Sequence, residues 1–198
     1  MNKVTIIGAG STMFTRQILS SLYCYPELAE LHVTLEDLDA KFLERTLALT
    51  YKMLEQEGLD PRLVSATTDQ RKALKNANFV INCVQVGGID PWKLDMEIPR
   101  KYGVIQEVGD TLGPGGVMRA LRHIPPLLSV LDDMEQVCPN AILMNYANPL
   151  APLTWAARDY SNIPTIGLCY GLTYTVAQLA GYLGLGPWVD HPHTPEQW

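Results

Sequence analysis

The chain has 198 residues, 47% hydrophobic and 18% charged, enough for one well-buried domain with room for an appended lobe. Fifteen basic against 21 acidic side chains give a net charge of −6, and no Lys/Arg block is present. This argues against nucleic acid and an anionic membrane surface and points to a small-molecule partner. No apolar run approaches the ~20 residues of a membrane span, Asn2-Lys3 before a strand does not resemble a secretory leader, and Cys24, Cys83, Cys138 and Cys169 lack C-x-x-C spacing. A cytoplasmic protein with reduced thiols is expected.

The first predicted element is the β-branched run Val4-Thr5-Ile6-Ile7, closed by Gly8-Ala9-Gly10-Ser11 and followed by a helix-compatible segment from Thr12 to Tyr23. In a dinucleotide fold such glycines let the backbone approach a pyrophosphate, and the free N–H groups of the helix start bind its charge. Gly8 and Gly10 are the expected contacts, with Ser11 as helix N-cap or phosphate ligand. The full fingerprint wants a small residue where Met13 stands, so the glycines alone are a weak signal and gain weight from the second strand. That second apolar run, Leu31 to Leu35, ends in Glu36-Asp37-Leu38-Asp39, which puts a carboxylate where the ribose of a dinucleotide lies. Asp37 is the candidate. It would accept bonds from the ribose hydroxyls and repel a 2′-phosphate, favouring NAD over NADP; the alternative is a solvated strand end that caps the helix Lys41 to Gln56.

Leu63 to Thr67 and Phe79 to Val84 read as further strands around a helical segment Asp69 to Ala77, and Ala141 to Met144 and Thr165 to Leu168 supply two more. Apolar strands alternating with helices predict a doubly wound, mainly parallel sheet in three α/β/α layers, a Rossmann-like fold. The segment Gly87 to Gly116 reads as a glycine-rich insertion at the carboxyl side of the sheet, leading into a helix that carries Arg119 and Arg122. Three residues apart, the two arginines read as a solvated face, and Pro125-Pro126 should kink or restart the helix.

Asn145-Tyr146-Ala147-Asn148-Pro149 and Gly167-Leu168-Cys169 complete the pattern. By themselves Asn145 and Asn148 read as turn residues and Cys169 as a small buried hydrophobe. Together with Gly8-Ala9-Gly10-Ser11, Asp37-Leu38-Asp39, Asp110-Thr111-Leu112-Gly113-Pro114-Gly115-Gly116 and Arg119-Ala120-Leu121-Arg122, these blocks resemble glycoside hydrolase family 4. That family comprises NAD- and metal-dependent α-galactosidases, α-glucosidases and 6-phospho-glucosidases, an exception to two-carboxylate glycoside hydrolysis. The Asp110 to Arg122 stretch is most similar to the α-galactosidase branch.

The resemblance implies transient oxidation of sugar C3 by NAD, removal of the C2 proton, loss of the leaving group, addition of water and return of the hydride, with a divalent metal, usually Mn²⁺, on the C3 oxygen. It implies Cys169 as a metal ligand and Asn148 as a substrate-binding residue, leaves Asn145 open, and makes homo-oligomers common. Tyr170 stands where sugar-specific branches often carry His and phospho-sugar branches an acid or amide, so sugar and phosphorylation stay open. Residues 1–185 are expected to form the NAD-binding domain, and 186–198, with His191 and His193, a disordered or aberrant tail. The second metal ligand of the family would fall at or just past Trp198 and the base tyrosine downstream, so the expectation is an amino-terminal part that binds NAD weakly and turns over little alone. Two alternatives are a lactate- or malate-type NAD-dependent dehydrogenase and a non-catalytic NAD-binding module.

Overall fold

A computed structural model describes residues 2–169 and 171–185. Tyr170 and segment 186–198, with His191, His193 and the expected tail, lie outside the described residues. The chain divides into two compact units, 1–167 and 168–198.

In the first unit the elements run β1 (Lys3–Ile7), α1 (Thr12–Tyr23), β2 (His32–Glu36), α2 (Ala40–Gln56), β3 (Val64–Thr67), α3 (Gln70–Leu74), β4 (Phe79–Asn82), α4 (Ile89–Lys101), α5 (Gly113–Val137), β5 (Ile142–Asn145), α6 (Leu150–Tyr160) and β6 (Thr165–Gly167). Described residues of the second unit include the helix α7 (Gly171–Tyr182).

The six strands form one sheet in the order β3-β2-β1-β4-β5-β6, and every neighbouring pair is parallel. Side chains alternate across the sheet, so each strand feeds two cores. On one face Val4, Ile6, Val33 and Leu35 pack with Leu19 of α1 and with Leu43 and Leu54 of α2. On the other, Ile7, Val80 and Leu143 pack with Leu74 of α3, Leu131 and Met134 of α5, and Leu153 of α6. The predicted three-layer Rossmann-like α/β fold is therefore present. Strand order reverses between β1 and β4, and the crevice beyond their carboxyl ends is the place where such sheets bind ligands.

Three expectations are corrected. Within Gly87 to Gly116 the chain forms a 13-residue helix, α4, rather than an open loop. Gly113 to Gly116 form the first turn of α5. That helix does not restart at Pro125 and Pro126 but continues through both. The absent N–H groups would have met the carbonyls of Leu121 and Arg122, but the same helix buries Leu127, Val130, Leu131 and Met134, and this packing outweighs the lost bonds.

Candidate functional site

Past β1 the chain turns sharply at Gly8, whose φ is +81°. A Cβ there would lie 2.8 Å from the backbone nitrogen of Val84 and 2.9 Å from the carbonyl carbon of Cys83, so the turn can lie against the end of β4 only as glycine. Gly8 and Ala9 both donate to the Glu36 carbonyl, at 3.0 and 2.8 Å, which ties the turn to β2. A Cβ on Gly10 would meet the Asp37 carboxylate at 2.6 Å. Space is left there because the Gly10 N–H donates to Asp37 Oδ2 at 2.8 Å. Ser11 occupies the N-cap position of α1, but its side chain makes no cap bond. Its hydroxyl is exposed beside the helix start, where unpaired N–H groups face outward. Met13 is 70% exposed, so the departure from the glycine fingerprint meets no steric conflict. Thr15 takes the inward position, its Oγ1 donating to the Ala9 carbonyl at 2.9 Å.

The acids after β2 divide their work. Asp39 caps α2, accepting from the N–H groups of Lys41 and Phe42 at 2.9 and 3.1 Å. Asp37 braces two turns, since its Oδ1 accepts from the Asp39 N–H at 2.9 Å while Oδ2 holds Gly10. A carboxylate with two oxygens keeps lone pairs for further donors, and Asp37 remains half-buried at the cleft. Glu36, which no sequence motif singles out, is 3% exposed. Burial, and then the neighbouring Asp37, push its carboxyl up to about 7, against the pull of the Gly8 N–H. These residues, with Val84, Gln70 and Pro126, line a cleft of about 590 Å³.

Beyond β4 and β5 a polar network replaces the apolar core. Asn82 and Asn145 are register partners, and Asn82 Nδ2 donates to Asn145 Oδ1 at 2.8 Å. Asn145 also donates from Nδ2 to the Ala147 carbonyl at 3.1 Å, and it is fully buried. These bonds tie Asn145 to β4 and to the turn after β5. Tyr146 packs edge-to-face on Phe14 of α1, with ring centroids 5.4 Å apart, and so joins this turn to the helix that follows the glycines. Asn148 Nδ2 donates to Asp110 Oδ2 at 2.8 Å.

The arginines are not a solvated face. Arg119 is 8% exposed and donates to Gln85 Oε1 at 2.7 Å, while its buried Nε lacks a partner. Burial lowers the pKa of its guanidinium, opposed by Asp110 and Asp95. Arg122 makes a two-pronged ion pair with Asp95 of α4, Nη1 to Oδ1 at 2.9 Å and Nη2 to Oδ2. His123 is a further residue that no sequence motif marks. Its Nε2 accepts from the Val86 N–H at 3.0 Å, and Nδ1 faces the Arg119 carbonyl at 2.9 Å, the pattern of a neutral ring donating from Nδ1. Burial lowers its pKa in keeping with that. The spacing from Arg119 to His123, one helical turn, is the signal the sequence offers for it.

In the second unit Cys169 is exposed, not a buried hydrophobe. Its Sγ accepts from the Gly171 N–H at 3.3 Å. All four cysteines are free thiols. Among the described residues no group of three or more His, Cys, Asp or Glu comes together to hold a metal, and no helix is long and apolar enough to cross a membrane.

A glycine turn braced by a strand-end carboxylate at the switch point of a doubly wound parallel sheet defines the dinucleotide-binding class of α/β folds. Comparison with known proteins places the chain within it. The profile of the family 4 glycosyl hydrolases matches residues 3–185, and the chain belongs to that family. It is 42% identical over 183 residues to an α-galactosidase of Rhizobium meliloti (strain 1021), covering 92% of this chain and 37% of that protein. An α-galactosidase of Bacillus subtilis (strain 168) is 41% identical over 187 residues, covering 93% and 43%. The chain thus spans about two fifths of the length of these curated relatives. Among solved structures, a 6-phospho-α-glucosidase from gut microorganisms in complex with NAD and Mn²⁺ superposes with a TM-score of 0.78 at 25% identity, covering 92% of this chain and 42% of that one.

Proposed function

We propose that this chain is the NAD-binding part of a glycosidase that hydrolyses O-glycosidic bonds, with α-galactosides or α-glucosides as substrates. The observation that carries the reading is the Gly8 to Ser11 turn held on Asp37 at the switch point, in a chain whose relatives include α-galactosidases. The residues present fit the dinucleotide. Gly8 and Gly10 keep side chains out of the turn, the exposed Ser11 hydroxyl and the N-terminus of α1 receive the pyrophosphate, and Asp37 receives ribose hydroxyls. Bound NAD supplies a hydride acceptor and donor for the sugar C3 position.

Asn148 is assigned to the sugar. With its Nδ2 held by Asp110, the amide is fixed in one orientation and presents Oδ1 as an acceptor to a sugar hydroxyl. Cys169, exposed and already accepting one hydrogen bond, is assigned as a thiolate ligand of a divalent metal, Mn²⁺ in the related structure. The described residues do not by themselves make a metal centre.

Calorimetric titration of NAD⁺ into the reduced 198-residue chain tests the cofactor assignment. Saturable binding that is lost in Asp37→Ala supports it, and a folded chain that binds no NAD⁺ overturns it. The glycosidase assignment is tested on the polypeptide that carries this chain. Release of p-nitrophenol from p-nitrophenyl α-galactoside or α-glucoside should require NAD⁺ and Mn²⁺ and be lost in Cys169→Ala.

A further inference from the structure

Glu36 is an unusual residue to find beneath a nucleotide turn. It ends β2 in register with Ile7 of β1 and Thr67 of β3, is 3% exposed, and lines the same cleft as Gly8, Gly10 and Asp37. Among the described residues no Lys or Arg forms an ion pair with it. The charged groups that bear on it are both acids, Asp37 beside it on the chain and Asp69 at the N-cap of α3, and the Gly8 N–H is the donor that opposes them. Among the described residues that line the cleft, none is a Lys, Arg or His. Cys83 after β4 is held as a neutral thiol, pushed up to about 12 by burial, and Gln70, Pro126 and Val130 complete that wall without charge.

A nucleotide pyrophosphate on this turn would bring further negative charge toward a carboxylate whose charged neighbours are already acids. It would also displace water from the cleft. Both effects disfavour the ionised carboxylate, whereas a neutral carboxyl carries an O–H that can donate to the docked anion.

We propose that Glu36 is a ligand-contacting residue of the nucleotide cleft that works as a neutral acid, taking up a proton when an anionic nucleotide docks, so that affinity falls as pH rises. Burial and the neighbouring Asp37 push its carboxyl up to about 7, so uptake grows as pH rises through that range. The inference rests on the NAD-binding reading, and the two fail differently.

The test is calorimetric titration of NAD⁺ into the full 198-residue chain at several values between pH 6 and 8.5, at each pH in two phosphate-free buffers of different ionisation enthalpy. The difference in heat between buffers counts protons. The expected result is proton uptake that grows with pH toward one per nucleotide, and an affinity that falls toward tenfold per pH unit at the alkaline end of the range. Glu36→Gln, which keeps the shape and the neutral state, should take up no proton and bind with a flat pH profile. The wild-type proton count stands without the variant. NAD⁺ binding without proton uptake, or uptake that persists in Glu36→Gln, overturns this inference alone. No NAD⁺ binding at any pH overturns the reading beneath it as well.

Discussion

Asn148 donates from Nδ2 to Asp110 Oδ2 at 2.8 Å, joining the segment before α5 to the turn before α6 across 38 positions of sequence. The two residues come from two of the blocks that carry the family resemblance, and the bond sets which end of the amide faces outward. Asp110→Ala should cost about 1 kcal/mol, the value of a partly buried bond to a charged acceptor, whereas Asp110→Asn, which keeps an acceptor oxygen, should cost less than half of that. Urea unfolding of the three proteins checks the order.

Gly8 and Gly10 differ in what a side chain would strike. At Gly8 it would strike backbone at positive φ, so Gly8→Ala should destabilise the fold by about 3 kcal/mol. At Gly10 the obstacle is a movable carboxylate. Gly10→Ala should keep stability within about 1 kcal/mol while weakening NAD⁺ binding roughly tenfold, as the turn loses its Asp37 brace. Thermal melts paired with NAD⁺ titrations separate the two effects.

The Asp95 side chain is only 4% exposed under Arg122. Arg122→Met strands that charge and should cost about 3 kcal/mol. Adding Asp95→Leu should recover at least half of the loss, because an apolar pair needs no compensation. A double-mutant cycle in urea measures the coupling, and additive losses would contradict the burial argument.

Glu36 and His123 impose opposite pH slopes on stability. The folded-state pKa of Glu36, about 7, is above its ordinary 4.5, so its contribution is fully present below about 4.5 and lost as pH rises through 7. That of His123 is held below its ordinary 6.5, so its contribution is present above 6.5 and lost as pH falls. Glu36→Gln should therefore gain on wild type between pH 5 and 8 by roughly 2 kcal/mol, allowing for water in the open cleft. Unfolding curves across that range supply the comparison.

Thiol chemistry should divide the cysteines. Cys24 and Cys169 are exposed, while Cys138 is buried and Cys83 is pushed up to about 12. Ellman's reagent should modify two thiols quickly in the native chain and the other two only on unfolding.

The strands and the first helix are legible in the sequence because their signals are local. Thr12 to Tyr23 is opened by a glycine turn, and the strand-end acids announce both Asp37 and the cap at Asp39. What escapes is set by partners distant in sequence. Arg119 and Arg122 read as solvent-facing because Gln85 and the α4 residue Asp95 cannot be placed opposite them from the chain alone. The α4 helix itself is hidden by Pro91 and Pro99. Pro91, however, falls in the first turn, where N–H groups have no partner within the helix, and the Asp95 carbonyl left by Pro99 accepts from Gln106 Nε2 at 3.3 Å instead. Asn145 could have been assigned from Asn82, which ends the preceding strand of the sheet in the same way.

The strand order also governs how the chain leaves the ribosome. β1, β2 and β3, with α1 and α2, lie within the first 67 residues and share one core, so this half can close while the rest is still being made. Until Phe79–Asn82 arrives, the β4-facing edge of β1 stays open. During that interval the nascent half-sheet offers a bare strand to any neighbour, which makes this stretch of synthesis the point at which a chaperone matters most.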